Sequence, residues 1–185
     1  MIMHFQILMI AQHSKASKMD KKKPFVLGIT AALSGTGKTT LIEKIIPVLL
    51  KKNIRLSVVK HAHHNFDIDY PGKDSYRLRK SGAYQTLIYN NKRSALITEI
   101  SKESVGLINM IKHMDQNIDL IIVEGLRDGD FKKIEVFRSS HSNEKLFLQD
   151  ENIIAIVSDV KLDTSVPLLN IDNIEGISDF IIANI

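Results

Sequence analysis

The chain has 185 residues, of which 44% are hydrophobic and 25% charged, and it contains no cysteine. These values match one globular domain of the soluble type. They exclude disulfides, thiolate zinc sites and iron–sulfur clusters, so any metal must take oxygen or imidazole ligands. The net charge of +4 resides in the N-terminal stretch. Residues 1–24 carry Lys15, Lys18, Lys21, Lys22 and Lys23 against Asp20, and the remainder balances 20 basic against 20 acidic residues. A balanced remainder argues against a nucleic-acid partner. Residues 1–10 are apolar but interrupted by His4 and Gln6, lack a preceding basic region and are too short to span a bilayer. No signal peptide or membrane anchor is read there. Residues 1–22, with Met19 close to their end, are set apart as an extension expected to be disordered. Residues 23–185 form the expected domain.

Residues 25–30 are an apolar, β-branched run that stops at a glycine-rich turn, the pattern of a buried strand feeding a loop. From Thr39 onward, Leu41, Ile42, Ile45, Ile46, Leu49 and Leu50 recur at helical spacing, with Lys51 and Lys52 at the negative end of the dipole. Pro47 removes one bond to Glu43 and is expected to kink the last turns. Residues 55–60 read as a second strand. The polar loop 61–72 then leads to a helix at 74–80, which Gly82 terminates. Residues 85–89 and 94–98, separated by Asn90-Asn91-Lys92-Arg93, read as a hairpin ending the early half of the sheet. A helix is expected at 101–114. Residues 118–123 are apolar apart from Asp119 at the solvent end, as in a parallel strand buried on both faces. Shorter strands at 133–137, 153–157 and 167–169 precede a closing helix at 173–183. The alternation predicts a three-layer α/β fold with a mostly parallel central sheet and an additional β-hairpin.

The run Ala32-Leu33-Ser34-Gly35-Thr36-Gly37-Lys38-Thr39 lies between the first strand and first helix, which is the context of a phosphate-binding P-loop. Backbone N–H groups of Ser34, Gly35, Thr36 and Gly37 and the helix dipole suit polyanionic oxygens. Lys38 reaches the β- and γ-phosphates, the Thr39 hydroxyl ligates Mg²⁺, and Thr40 supports the helix terminus. Ala32 stands where the pattern usually begins with glycine. Glu124, at the end of a buried strand, is the expected second metal ligand and catalytic carboxylate, and Gly125 lets a backbone N–H approach the γ-phosphate. Asp67 is the other catalytic candidate, on the loop after the second strand. His61-Ala62-His63-His64 with Asp67 and Asp69 also permits a transition-metal reading, weighed against a polar loop beside the nucleotide. Asp159 selects the base: an ionised carboxylate accepts from guanine N1–H and the amino group and mismatches adenine N1. The Asn-Lys-x-Asp signature of many guanine binders is absent.

Residues 24–185 resemble the molybdopterin-guanine dinucleotide biosynthesis adapter family. The resemblance rests on Ser34-Gly35-Thr36-Gly37-Lys38-Thr39-Thr40-Leu41, Val59-Lys60-His61-Ala62-His63-His64, Asp69-Tyr70-Pro71-Gly72-Lys73-Asp74-Ser75-Tyr76-Arg77 and Val123-Glu124-Gly125. It implies a cytoplasmic GTP-binding protein with Mg²⁺, a weak GTPase and a homodimer. It further implies an adapter assisting the molybdenum cofactor guanylyltransferase, with the molybdopterin cofactor itself a possible ligand. The N-terminal extension and Asp128-Gly129-Asp130 depart from the family pattern. Two alternatives share the P-loop. A nickel-insertion GTPase calls for a metal-binding tract, and a small-molecule kinase calls for lid arginines, for which Arg77 and Arg79 are the candidates.

Overall fold

The computed structural model describes residues 23–62, 66–100 and 106–185. The N-terminal extension, His63 and His64 lie outside them. In chain order the elements are β1 Phe25–Thr30, α1 Lys38–Lys51, β2 Leu56–Lys60, α2 Asp74–Lys80, β3 Gln85–Tyr89, β4 Ser94–Thr98 and α3 Leu107–Ile111. They continue with β5 Leu120–Glu124, β6 Lys133–Phe137, a 3₁₀ turn at Leu146–Leu148, β7 Ile153–Ser158, β8 Leu168–Asn170 and α4 Ile174–Ile182. Part of the helix expected at 101–114 appears as α3, and residues 101–105 lie outside the described set.

Six strands form a parallel sheet in the order β2-β5-β1-β6-β7-β8. Chain direction around β1 changes at its C-terminal end, where α1 departs toward β2 on one side and β6 lies on the other. Open α/β sheets bind ligands at such a switch point. Alternate residues of the strands face two layers. Leu27, Ile29, Leu120, Ile122, Ile134, Val136, Ala155 and Val157 meet Leu41, Ile45 and Leu49 of α1 and Ile177 and Ile181 of α4. Burying each of the Leu, Ile and Val side chains contributes about 1.5–3 kcal/mol relative to exposure. That packing carries α1 through Pro47, with Leu49 fully buried one half-turn later.

The opposite face gathers Ile121 and Val123 with Ile111 of α3, Leu126 and Phe131. Phe131 belongs to the link from β5 to β6, which must cross β1. It passes over Gly28, where a Cβ would meet the Phe131 ring at 2.7 Å. Two charged residues of β6 are also buried here. Lys133 pairs with Asp150 at 2.7 Å, and Glu135 accepts the N–H groups of Leu146 and Phe147. Burial raises the Glu135 pKa, and the two N–H bonds oppose that shift. The carboxylate thereby caps the 3₁₀ turn, an element that apolar periodicity did not reveal.

The additional hairpin forms at the expected residues, but not at the expected place. β3 and β4 form their own two-stranded antiparallel sheet and do not end the central one. One face rests on α2, while Leu87, Leu96 and Tyr89 are exposed on the other. β3 and β4 satisfy each other's backbone groups across the turn at residues 90–93, closed by the Asn90 N–H to the Arg93 carbonyl at 2.9 Å, so the pair forms without an edge of the central sheet.

Candidate functional site

The glycine-rich run turns tightly between β1 and α1. Gly35 and Gly37 have φ of 75° and 103°, a left-handed conformation that a side chain opposes. Gly37 sits at the N-cap of α1 without a side-chain cap, so the first N–H groups of the helix stay directed at the loop. Thr36 is buried, and its hydroxyl donates to the Leu33 carbonyl at 2.9 Å; Lys38 Nζ donates to the same oxygen at 3.0 Å. Thr36 therefore supports the turn with its side chain and offers only its backbone to a ligand.

A cavity of about 570 Å³ opens over this loop, lined by Ser34, Gly35, Gly37, Lys38, Thr39 and Thr40 from one side. Lys60, His61, Glu124, Gly125 and Arg127 line the other. Register explains the grouping. Lys60 and Ile29 both pair with Glu124, so the C-terminal ends of β2, β5 and β1 are level. Glu124 is buried, accepts the Thr39 hydroxyl at 2.5 Å and lies 3.2–3.3 Å from Lys60 Nζ. Two hard oxygen donors side by side, from Thr39 and Glu124, are the chemistry that Mg²⁺ prefers. Gly125 has φ of 89°, and a Cβ there would lie 3.2 Å from the His61 carbonyl. A side chain at that position is thus opposed both by conformation and by space. Burial lowers the Lys38 pKa; the Glu124 carboxylate opposes this and the Lys60 ammonium adds to it.

Other sequence candidates are placed elsewhere. Asp67 is not among the residues lining the cavity, because its carboxylate binds Arg79 at 2.6 Å. The buried Arg79 also holds Asp69 and Glu99, both at 2.7 Å, and stacks beside the Tyr76 ring. This node fixes the segment after β2 to α2 and to the end of the hairpin. It also commits Arg79, leaving it unavailable as a lid arginine. Among the described residues no group of three His, Cys, Asp or Glu side chains forms a metal centre. Asp159 stands at the end of β7, apart from the phosphate side of the cavity, and accepts Arg138 Nη1 at 3.3 Å.

Lys60 and Arg138 are the site residues that the motif reading passed over. Arg138 Nε donates to the Thr36 carbonyl at 3.2 Å, tying the end of β6 to the loop. Each had a signal in the sequence: a basic residue directly following an apolar strand, as in Val58-Val59-Lys60 and Val136-Phe137-Arg138. That signal alone does not say which neighbouring strand faces it.

A parallel sheet with this loop at its switch point defines a P-loop α/β protein. The family model described as "Molybdopterin guanine dinucleotide synthesis protein B" matches residues 26–159, and the chain belongs to that family. It is 46% identical to the molybdopterin-guanine dinucleotide biosynthesis adapter protein of Escherichia coli (strain K12), over 82% of this chain and 89% of that one. Identity to the adapter protein of Haemophilus influenzae (strain ATCC 51907 / DSM 11121 / KW20 / Rd) is 40%, covering 84% and 86%. Among solved structures, the crystal structure of molybdopterin-guanine biosynthesis protein B superposes with a TM-score of 0.71 at 26% identity, covering 87% of this chain and all of the other. Bacillus subtilis MobB shares the fold, with a TM-score of 0.66 at 21% identity over 86% and 97% of the chains.

Proposed function

We propose that this protein is a GTP-binding adapter with weak GTPase activity that assists the guanylyltransferase step of molybdenum cofactor (molybdopterin guanine dinucleotide) biosynthesis. The observation that carries the proposal is the convergence of Lys38, Thr39, Glu124 and Gly125 on one cavity at the sheet's switch point. The relatives named as adapter proteins support the cellular role. Ser34, Gly35, Thr36 and Gly37 cradle the phosphates with backbone N–H groups, Thr40 supports the helix start, and Lys38 swings from the Leu33 carbonyl to the phosphate oxygens. Thr39 and Glu124 would hold Mg²⁺, which supplies charge neutralisation at the β- and γ-phosphates. Glu124 is the carboxylate placed to orient an attacking water, and Asp159 reads the guanine edge.

The partners in this reading are the molybdenum cofactor guanylyltransferase, the molybdopterin cofactor and a second copy of the chain, in the cytoplasm. No helix among the described residues is long and apolar enough to cross a membrane. Calorimetric titration of the protein with GTP and ATP in Mg²⁺ tests the ligand. GTP is expected to bind more tightly, and Lys38→Ala to lose about 2 kcal/mol, roughly thirtyfold in Kd, while staying folded. Equal binding of both nucleotides, or full affinity in the folded Lys38→Ala variant, contradicts the assignment.

A further inference from the structure

Lys60 ends β2 in register with Glu124, and its ammonium lies 3.2 and 3.3 Å from the two carboxylate oxygens. The partners are unequal in exposure: the Lys60 side chain is 65% exposed, that of Glu124 only 10%. An ion pair with one exposed, flexible partner adds little to stability. Its effect falls instead on the charge of the buried carboxylate. Lys38 is hydrogen-bonded to the Leu33 carbonyl and acts on the same carboxylate only through space, so Lys60 is the ammonium in contact with it. Thr39 approaches the same carboxylate from the loop side, so the ammonium and the hydroxyl flank Glu124 together.

We propose that Lys60 gates the divalent-cation position of this site: its ammonium neutralises Glu124 while the cavity holds no polyphosphate, and it leaves that carboxylate when a phosphate chain draws it away. The inference rests on Thr39 and Glu124 being the metal ligands. A divalent ion arriving alone must displace Lys60 and faces both it and Lys38 as like charges. A polyphosphate reverses the balance, since it attracts both lysines and leaves the Glu124 carboxylate without its ammonium partner. Metal and nucleotide then favour each other's entry, and that coupling is reciprocal. Lys60 is thus a positioning residue for the metal, acting through Glu124.

Mn²⁺ binding to the nucleotide-free, full-length protein, read by electron paramagnetic resonance, tests the gate. The wild type is expected to bind Mn²⁺ weakly, Lys60→Met to bind it about tenfold more tightly, and Lys60→Arg to behave as the wild type. Combining Lys60→Met with Glu124→Gln is expected to abolish the gain. Equal Mn²⁺ affinity in wild type and Lys60→Met, with unchanged circular dichroism, overturns the proposal. So does a gain that survives Glu124→Gln, because the ion then sits elsewhere. No nucleotide enters this measurement, so its outcome is separate from whether the protein prefers GTP.

Discussion

Arg138 meets Asp159 at 3.3 Å and the Thr36 carbonyl at 3.2 Å, which links the phosphate loop to the carboxylate proposed to read the base. One guanidinium with a rigid fork suits two acceptors at once in a way that lysine does not. A carboxylate accepts two hydrogen bonds from guanine, and an amide replaces one acceptor by a donor. Asp159→Asn is therefore expected to narrow the preference for GTP over ATP by about 1–3 kcal/mol, the scale of a good bidentate base contact. Calorimetry on the two nucleotides measures it, and an unchanged ratio removes Asp159 from base reading. Thr36 is a different case, since its hydroxyl is spent inside the loop. A P-loop residue can thus support the turn without offering its side chain to phosphate.

At the scale of elements, the segment between β6 and β7 is held by two buried charges of β6. Glu135 caps the 3₁₀ turn and Lys133 grips Asp150. Desolvation pushes the Asp150 pKa up, but the hydrogen bond from Lys133, the Asn152 N–H and the nearby positive charges outweigh it, so the net shift is downward. A carboxyl whose folded pKa is depressed stabilises the fold above its unfolded pKa of about 4 and loses that contribution as pH falls through the lower folded value. Asp150→Asn is thus expected to lower the melting temperature at pH 7 and to flatten its decline below about pH 4. Melting curves across that range check it. A variant that parallels the wild type at every pH would show that the pair with Lys133 does not respond to folding.

For the whole molecule, the β3–β4 sheet is the unit that has no partner layer on one side among the described residues. Leu87 and Leu96 pair across the strands and are 59% and 52% exposed, with Tyr89 beside them at 77%. A two-stranded sheet is marginal alone, and an apolar face of this kind is commonly covered by another chain. A second copy of the protein is the occupant consistent with the proposed homodimer. Leu87→Asp is expected to shift the mass from dimer to monomer in analytical ultracentrifugation. Because the residue is exposed and lies away from the phosphate loop, nucleotide affinity is expected to hold. A wild type that sediments as a monomer, or a variant that remains dimeric, excludes this face.

Local chemistry carried much of the reading. The glycine-rich turn, Lys38 and Thr39 are contiguous, and the apolar runs of β1, β5 and β7 are strands whose period and length show without any partner. The phosphate loop and the parallel sheet were therefore legible from residues alone. What the tertiary structure decided is which strand ends stand level. Lys60 and Glu124 are distant in sequence and meet because β2 pairs with β5 in one register, and Arg138 reaches Thr36 because β6 lies beside β1. Asp67 was drawn toward catalysis by its place after β2, yet a buried guanidinium on α2 claimed it, since Arg79 without carboxylates would be an uncompensated charge. The hairpin's separation from the central sheet has the same origin. Strand propensity names a strand, while the edge it joins depends on which strands have already paired, a property of the assembled sheet rather than of any segment.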